Sequence, residues 1–362
     1  MYKISNLRFS MMSLILILFL GFGVTKAQEW DMLWSYDISA AAGEGQAGVE
    51  TDGMYLYTAF WGSGNFAKFD LDGNWIETFS VPGAQNIKDL AFDGEFFYGS
   101  NAERNEPIYI MDFTSQSLMG NIPVADSRIR HIAYDSDLDQ FWCGNWQSDI
   151  ICVNRSGEIT STIPFANHKM MGIYGTAYDN FSEGGPYLWV HSQSCFGSVD
   201  GIAQIDISTG TPTGVWHNVM DDAGSEVVNA AAGGLFNSID ILPGYFVLGG
   251  IVQGTPNKLF AYSLMQYGTV PPSLTAPENA AFEVDVLPLF QWTAAAGVTS
   301  YNIQVSLYSN FVETVLDVNG ITGLTYQATT SLEETTRYYW RVRGVSPGGE
   351  FTAWSKKFSF IT

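Results

Sequence analysis

The chain has 362 residues and a formal net charge of −21, with 46% hydrophobic but only 15% charged residues. This composition excludes extended disorder, and the acidic balance argues against nucleic acids and anionic membranes as partners, because neither would gain from counterion release. A chain of this length favours two domains over a single core.

The first 27 residues have the pattern of a secretory signal peptide. Lys3 and Arg8 form a basic start, residues 14–20 are apolar, and the region ends on the small residue Ala27. Because the apolar segment is short for a spanning helix, we expect cleavage, with a retained N-terminal anchor as the alternative. No comparable apolar stretch follows, so the sequence predicts an exported chain without a transmembrane segment after cleavage.

One short motif, an Asp followed by a turn and an aromatic strand, occurs four times between residues 51 and 189. Its lead residues are Asp52, Asp93, Asp135 and Asp179. These lie 41, 42 and 44 residues apart. A second repeated position, an Asp or Asn at the end of each third strand, precedes another turn. These residues are Asp70, Asp112, Asn154 and Asp206. A period in the forties that contains short strands is typical of the blades of a β-propeller.

Each repeat predicts four strands, which in the second repeat are residues 87–92, 95–100, 107–113 and 117–124. A fifth, weaker unit has three, at 236–242, 245–252 and 257–264. The segment 32–38 precedes the first repeat, and circular closure predicts that it becomes the outer strand of the last blade. We therefore predict a five-bladed propeller over residues 28–268. Six blades are the alternative, because residues 182–186 and 219–235 could contain divergent strands.

Three cysteines in an exported chain raise the question of a disulfide. If Gln147 and Ser148 form a two-residue hairpin turn, Cys143 and Cys152 lie opposite each other on adjacent strands. A cross-strand disulfide and two buried free thiols are both open alternatives, because a one-residue slip faces the side chains apart. Cys195 has no evident partner.

The composition changes at Pro271 and Pro272, a stiff pair within a linker at 269–273. Residues 274–362 then show the pattern of a small β-sandwich. Four of their segments resemble a fibronectin type III domain, namely 288–292, 301–306, 332–338 and 339–343. An all-β chain of two domains, a propeller followed by a fibronectin type III sandwich, is the expected architecture.

That resemblance assigns positions within the sandwich. Trp292 matches the buried tryptophan of strand B in the family, and residues 332–338 match its tyrosine corner, with Glu334 in place of the usual proline. Strand alternation then places Tyr338, Trp340 and Val342 inside, and Tyr339, Arg341 and Arg343 outside. No Arg-Gly-Asp sequence occurs, so the resemblance does not imply integrin binding.

Residues 130–135 and 185–189 resemble segments of bacterial secreted β-propellers from multidomain surface proteins, some of them exported by the type IX route. This resemblance implies a secreted, extracellular or cell-surface location on a bacterium. The sorting domain of that route is not recognisable before residue 362, where the last strand of the predicted sandwich ends. We expect either a fragment or a chain that uses no such tail.

The sequence carries no recognisable catalytic signature. The sequence has no G-x-S-x-G motif that could hold a catalytic serine beside one of its four histidines. The spacing of the histidines does not match a zinc site, and no phosphate-binding glycine motif occurs. We interpret His131, inside a predicted inner strand, as structural. The lead aspartates are expected to cap their own turns, and the carboxylate run at 135–139 to be a solvated turn. Calcium lacks support because no EF-hand loop is found, so we predict no cofactor and no metal.

The strand order assigns the loops to two faces. Loops between second and third strands share a face with those between blades, and they are longer and more varied than the turns opposite. We predict a recognition surface there, formed by Trp61, Asn101, Arg104, Asn145, Trp146, His191 and Gln193. Aromatic faces and amides suit a glycan or a peptide. The alternative is that both tryptophans pack between blades.

The expected function is that of a secreted, non-catalytic binding or adhesion protein, with the propeller as recognition platform for a glycan or protein and the sandwich as spacer. A propeller enzyme, such as a metal-dependent lyase or lactonase, is one alternative. A structural module of a larger surface protein is the other. The sequence does not indicate an oligomeric state.

Overall fold

A computed structural model describes residues 30–182, 184–194, 200–242, 244–266, 271–295, 297–309, 311–347, 349 and 351–362. Within these residues the chain is all-β, with seven sheets and three short helical segments. The helical segments are α1 (Ser39–Ala42), α2 (Phe165–His168) and a 3-10 turn (Val219–Asp221). None of the described helices is long and apolar enough to cross a membrane. The predicted signal peptide, Cys195 and part of the predicted linker lie outside the described residues.

Residues 31–266 form five antiparallel sheets of four strands each. The strand β1 (Asp31–Asp37) comes first in the chain. The first two sheets consist of β2 (Gln46–Thr51), β3 (Leu56–Phe60), β4 (Asn65–Phe69) and β5 (Trp75–Ser80), and of β6 (Ala91–Phe92), β7 (Phe97–Gly99), β8 (Ile108–Asp112) and β9 (Ser117–Ile122).

The next two sheets consist of β10 (His131–Asp135), β11 (Gln140–Gly144), β12 (Ile150–Val153) and β13 (Ile159–Ile163), and of β14 (Met171–Asp179), β15 (Tyr187–Ser194), β16 (Gly201–Asp206) and β17 (Thr211–Asn218). The fifth sheet contains β18 (Val228–Ser238), β19 (Tyr245–Thr255) and β20 (Lys258–Gln266). Its fourth strand is β1, which pairs with β20. The pairing expected for the segment 32–38 is therefore confirmed.

The first strands of the five sheets contact one another in cyclic order, from β2 through β6, β10 and β14 to β18 and back to β2. Apolar side chains fill the space between neighbouring sheets, as where Tyr57 of the first sheet and Phe97 of the second meet edge to face with ring centroids 4.8 Å apart. Because β1 closes the fifth sheet, the two ends of this unit meet in one sheet. The arrangement is consistent with a β-propeller.

The four lead aspartates cap the turns between first and second strands, as predicted. In each, Oδ1 accepts hydrogen bonds from the backbone N–H groups two and three residues later, and Oδ2 accepts one from an aromatic side chain of the following strand. The aromatic donors are Tyr57, Tyr98, Trp142 and Trp189. The repeated aromatic residues therefore belong to the same device as the repeated aspartates.

Replacing Asp179 with alanine is expected to lower the free energy of unfolding by about 2 kcal/mol, because two backbone N–H groups and the Trp189 indole lose their buried acceptor. Asp206→Ala removes a similar turn cap at an exposed position and should cost less than about 1 kcal/mol. Urea unfolding of both variants measures the difference. Equal costs would contradict a buried structural role for Asp179.

Two predicted strands differ from those observed. The inner strand expected at 87–92 is reduced to β6, because the regular ladder with β7 covers only Ala91 and Phe92. The strand expected at 236–242 is β18, which begins at Val228 and ends at Ser238. Its first half consists mainly of alanine and glycine, and this composition hides the hydrophobic alternation that marks other strands. Residues 219–235, where a further blade was considered, contain the 3-10 turn and the start of β18.

Of the two alternatives for the cysteines, the structure has the one with the register slipped by one residue. Trp142 pairs with Cys152, and Cys143 pairs with Ile151, because the connection is a five-residue loop at 145–149 and not a two-residue turn. A one-residue shift sends the two side chains to opposite faces of the sheet. Both cysteines are buried free thiols. Burial raises both thiol pKa values, that of Cys152 to about 11.

Residues 274–361 form two further sheets that share one core. Their strands are β21 (Leu274–Ala276), β22 (Leu289–Trp292), β23 (Ser300–Ser306), β24 (Leu316–Ile321), β25 (Thr325–Gln327), β26 (Arg337–Val345) and β27 (Phe358–Ile361). The strand orders are β21-β22-β25 and β24-β23-β26-β27. Trp292 and Trp340 are buried in the shared core, as expected. The Tyr338 hydroxyl accepts a hydrogen bond from Glu333 N at 3.0 Å, which is the contact of a tyrosine corner.

The outer face of β26 is not free. Tyr339 was expected to face outward, and it does leave the core, yet it is buried. The reason is that this unit lies against the turns of the first: Ser309 Oγ donates a hydrogen bond to Asp93 O at 3.2 Å, and Glu95 is close enough to raise the pKa of Tyr339, an effect second to burial. The second unit therefore covers part of the face of the first unit that carries the turns between first and second strands, which we call the turn face.

Candidate functional site

A cavity of about 340 Å³ opens among the loops opposite the turn face. It brings together four of the seven residues predicted to form a recognition surface, namely Trp61, Asn101, Asn145 and Trp146. Its other lining residues are Asn86, Lys88, Ala102, Glu103, Arg128 and Arg130. They belong to the loops after the second strand of the first three sheets and to the connections between those sheets.

Local hydrogen bonds hold these loops. Trp61 N donates to Gly45 O at 2.6 Å, and Trp146 O accepts from Gly172 N at 2.9 Å. Asn101 Oδ1 accepts from Glu103 N at 2.9 Å, an Asx turn of the kind its residue type favours. Asn145 N donates to Ser148 Oγ, also at 2.9 Å. The backbone of the cavity wall is therefore held by hydrogen bonds within the protein, some within a loop and some between loops.

Two cations lie over the two tryptophans. Lys88 Nζ is 4.9 Å from the centroid of the Trp61 ring, and the Arg130 guanidinium carbon is 4.5 Å from that of Trp146. The same guanidinium is 5.3 Å from the Tyr174 ring. Both indoles are partly open to solvent, with Trp61 59% and Trp146 44% exposed. Cation–π attraction orients both charges at the cavity wall.

The protein neutralises these cations only in part, because Glu103 is the one carboxylate among the cavity-lining residues. Across the described residues, neither Lys88 nor Arg130 lies within ion-pair distance of a carboxylate, and Arg128 Nη1 is 3.9 Å from Glu103 Oε2. Burial lowers the pKa of Lys88, with Arg130 as a second cause, and it also lowers the pKa of Arg130. The buried Arg130 Nε has no hydrogen-bond partner in the described structure. The cavity is thus cationic within a chain of net charge −21.

Three predicted residues lie elsewhere. Arg104 borders a neighbouring cavity, where it pairs with Asp126 at 2.9 Å. Gln193 lies beside Gly172, outside the cavity lining. His191 was expected at the surface but is fully buried, with Nε2 2.5 Å from Asp200 Oδ1 and Nδ1 2.9 Å from Gly233 O. His191 lies inside β15 and not in the loop after it, and its ring packs edge-on against Phe260 of the fifth sheet.

The cations of the cavity were not predicted from the sequence. Lys88 and Arg130 each precede a lead aspartate by five residues, so they hold the same position in consecutive repeats. An alignment of the repeats could have found them. Asn86 and Arg128 also share a repeat position, seven residues before the lead aspartate, but they differ in residue type.

A larger cavity, of about 540 Å³, lies between the turn face and the second unit. Its lining includes Asp52, Asp93 and Asp137, together with Arg341 and Lys357 of the second unit. The carboxylates of Asp52 and Asp93 already cap their turns. The carboxylate of Asp137 accepts hydrogen bonds from the Tyr178 hydroxyl and the Asn180 amide. Because these groups are engaged in the fold, the smaller cavity is the stronger candidate for ligand binding.

At the centre of the ring lies a buried carboxylate that was also not predicted from the sequence. Asp89 is fully buried, and its Oδ2 accepts hydrogen bonds from Ile132 N at 3.1 Å and Thr176 N at 3.3 Å. These donors belong to the first strands of two other sheets, so a single side chain links three sheets. Burial raises the pKa of Asp89 well above its usual range.

Glycines make room for Asp89. The position four residues before the lead aspartate is Gly48, Asp89, His131 and Gly175 in the first four repeats, and Gly234 stands four residues before Ser238 in the fifth. A Cβ on Gly48 would lie 2.8 Å from Asp89 Cα, and one on Gly234 would lie 2.7 Å from Asp89 Oδ1. At Gly48 and Gly234 the inner strands therefore approach the Asp89 segment too closely for a residue larger than glycine.

His131 is buried beside this centre, and its pKa is lowered to about 3. Burial is the main cause, and the charges of His168 and Arg130 add to it. Its imidazole is therefore neutral at neutral pH, which agrees with a structural role. In the described part of the chain no group of three His, Cys, Asp or Glu side chains is placed to hold a metal ion. In the run 135–139, Asp135 caps its turn and Asp139 accepts from Tyr134 and Arg155.

No family model matches the chain, and no curated protein matches it. Among solved structures, an Fn3-like protein from Clostridium thermocellum is 26% identical over 25% of this chain and 91% of its own, with a TM-score of 0.22. Glutaminyl cyclase from Myxococcus xanthus is 12% identical over 64% of this chain and 94% of its own, with a TM-score of 0.46. A chain of a mitotic checkpoint complex is 15% identical over 61% of this chain and 77% of its own, with a TM-score of 0.35. At these TM-scores the likenesses indicate no function for this chain.

Proposed function

We propose that this protein is a non-catalytic binding protein, whose loop-face cavity recognises a glycan or protein ligand. The observation that carries the proposal is the meeting of Trp61, Asn101, Asn145 and Trp146 in one cavity, although they come from three separate sheets. Partly exposed tryptophans beside amides on a rigid scaffold are typical of binding sites. Asp89 and His131 at the centre are fully buried, which favours binding over chemistry along the axis.

The proposal includes the domain organisation. We propose a cleaved signal peptide at 1–27, a five-bladed propeller at 28–268, a linker at 269–273 and a fibronectin type III domain at 274–362. Five sheets in cyclic contact and the tyrosine-corner contact of Tyr338 support the two domains. The second domain serves as a spacer that leaves the loop face free. We also propose secretion to the exterior or the surface of a bacterium, which the signal-peptide pattern and the resemblance to bacterial secreted propellers support.

A glycan and peptide array, followed by titration calorimetry on the best ligand, tests the function. Trp61→Ala and Trp146→Ala are each expected to weaken binding by about 30-fold, the loss typical of a partly buried aromatic anchor. Trp75→Ala is the matched control, because Trp75 is also 44% exposed but lies on the outer strand β5, away from the cavity.

The control variant should bind as the wild type does. Folding of all three variants is checked by circular dichroism and thermal unfolding. If neither cavity tryptophan affects the binding of a ligand that the array identifies, or if the array identifies none, the proposed site is wrong.

A further inference from the structure

We propose, building on the function proposed above, that the ligand of the loop-face cavity is an acidic saccharide, a sugar chain that carries carboxylate or sulfate groups. Its anionic group binds between Lys88 and Arg130, and its rings contact Trp61 and Trp146. Three properties of the cavity lead to this class of ligand: its uncompensated charge, its amides and its size.

The charge points to an anion. Lys88, Arg128 and Arg130 line the cavity against one carboxylate, that of Glu103, while the whole chain is strongly acidic. Removing a cation from water is unfavourable unless an opposite charge or hydrogen bonds compensate. Here the compensation is incomplete, because the Arg130 Nε has no partner among the described residues and Lys88 and Arg130 repel each other. A bound carboxylate or sulfate supplies the missing charge and acceptors.

The remaining wall suits a sugar. Asn86, Asn101 and Asn145 present amides, which both donate and accept hydrogen bonds, as hydroxyl groups do. The two indoles remain partly exposed beside the cations and offer apolar surface to the C–H face of a ring. A volume of about 340 Å³ is at the small end of ligand sites and matches one or two sugar rings.

An acidic peptide fits less well. Extended peptides gain affinity from backbone pairing with an exposed sheet edge. The cavity wall instead consists of loops, and none of its lining residues lies in a strand. Side-chain contacts alone would have to hold a peptide there. The geometry therefore favours a ring-shaped, hydroxylated ligand over a strand.

Titration calorimetry on the full chain can test the class of ligand. Oligogalacturonate and a sulfated galactose oligomer are compared with a neutral galactose oligomer of the same length and with an oligoglutamate peptide. At least one acidic saccharide is expected to bind about tenfold more tightly than the neutral one, because charge-assisted hydrogen bonds are lost without the anion. The carboxylated and sulfated arms identify which anion binds.

Lys88→Met and Arg130→Met are the diagnostic variants, because methionine keeps apolar bulk and removes the charge. Each should weaken binding of the acidic saccharide about tenfold and leave binding of the neutral one unchanged. Lys68→Met is the matched control: Lys68 Nζ also lies over an aromatic ring, 3.9 Å from the centroid of Tyr55, but outside this cavity. Should a variant misfold, the wild type still provides a test, since its affinity must fall as salt screens the charges.

The outcomes separate this inference from the function on which it rests. Preferential binding of an acidic saccharide, lost in Lys88→Met but not in Lys68→Met, supports it. Equal binding of the neutral oligomer, or binding of the peptide alone, overturns the ligand class but leaves the binding function if Trp61→Ala abolishes that binding. Absence of any binding that depends on Trp61 or Trp146 overturns both.

Discussion

Gly234→Ala is expected to lower the free energy of unfolding by more than about 3 kcal/mol, or to prevent folding altogether. The added Cβ would lie 2.2 Å from Val49 N and 2.8 Å from Gly48 C, both backbone atoms of the neighbouring inner strand β2. Backbone atoms in a ring of packed sheets cannot move apart without displacing the sheets on either side. Denaturant unfolding measured by tryptophan fluorescence gives the change.

Gly120→Ala is the matched control for this substitution. Gly120 also lies in a strand, β9, and a Cβ there would meet only the Ile110 Cδ1 atom, at 3.8 Å. Its effect should stay within about 0.5 kcal/mol of the wild type. A Gly234→Ala protein as stable as Gly120→Ala would contradict the close approach of the inner strands at the axis.

Turn chemistry is the part of this fold that sequence predicts best. Asp135, for example, bonds to the backbone of Asp137 and Leu138, so everything that fixes its role lies within a few residues. The Trp142 indole that completes the device is only seven residues away. The closure of the fifth sheet by β1 was predictable for another reason, since a ring leaves a leftover strand only one place to pair.

Register and long-range contacts are the parts that could not be predicted. A loop of five residues in place of a two-residue turn separates Cys143 from Cys152, and the sequence between them allows either. Asp89 is separated from the Thr176 N–H by 87 positions, so nothing near it in sequence marks it as the centre of the ring. Both features depend on how the sheets meet, which local patterns do not encode.

The candidate site shows the same division. Trp61 and Trp146 were predicted because the strand order alone determines which loops share a face. His191 was wrongly included because β15 continues to Ser194, so the residue lies in a strand and not in the loop where it was expected. Lys88 and Arg130 were missed because each looks like a single surface charge until their sheets come together.

Asp89→Ala is expected to lower the free energy of unfolding by more than about 3 kcal/mol, because the N–H groups of Ile132 and Thr176 lose a buried acceptor and a cavity remains. Asp89→Asn keeps an acceptor of the same size and should retain most of the stability. Urea unfolding distinguishes the two variants. Similar losses in both would show that the charge of Asp89, and not its role as acceptor, sustains the ring.

The pH dependence gives a second, independent prediction for the same residue. The raised pKa means that folded Asp89 holds its proton at pH values where the unfolded chain has lost it. Between the ordinary aspartate pKa and the raised value, the wild type therefore loses stability as pH rises, by at most about 1.4 kcal/mol per pH unit. The amide of Asp89→Asn does not titrate, so this variant should gain stability relative to the wild type as pH rises through the window. Asp126→Asn, at a side chain that is 82% exposed, controls for the loss of a charge. A difference between wild type and Asp89→Asn that stays constant with pH would show that Asp89 is ionised in the folded protein and that its backbone donors are sufficient to hold the charge.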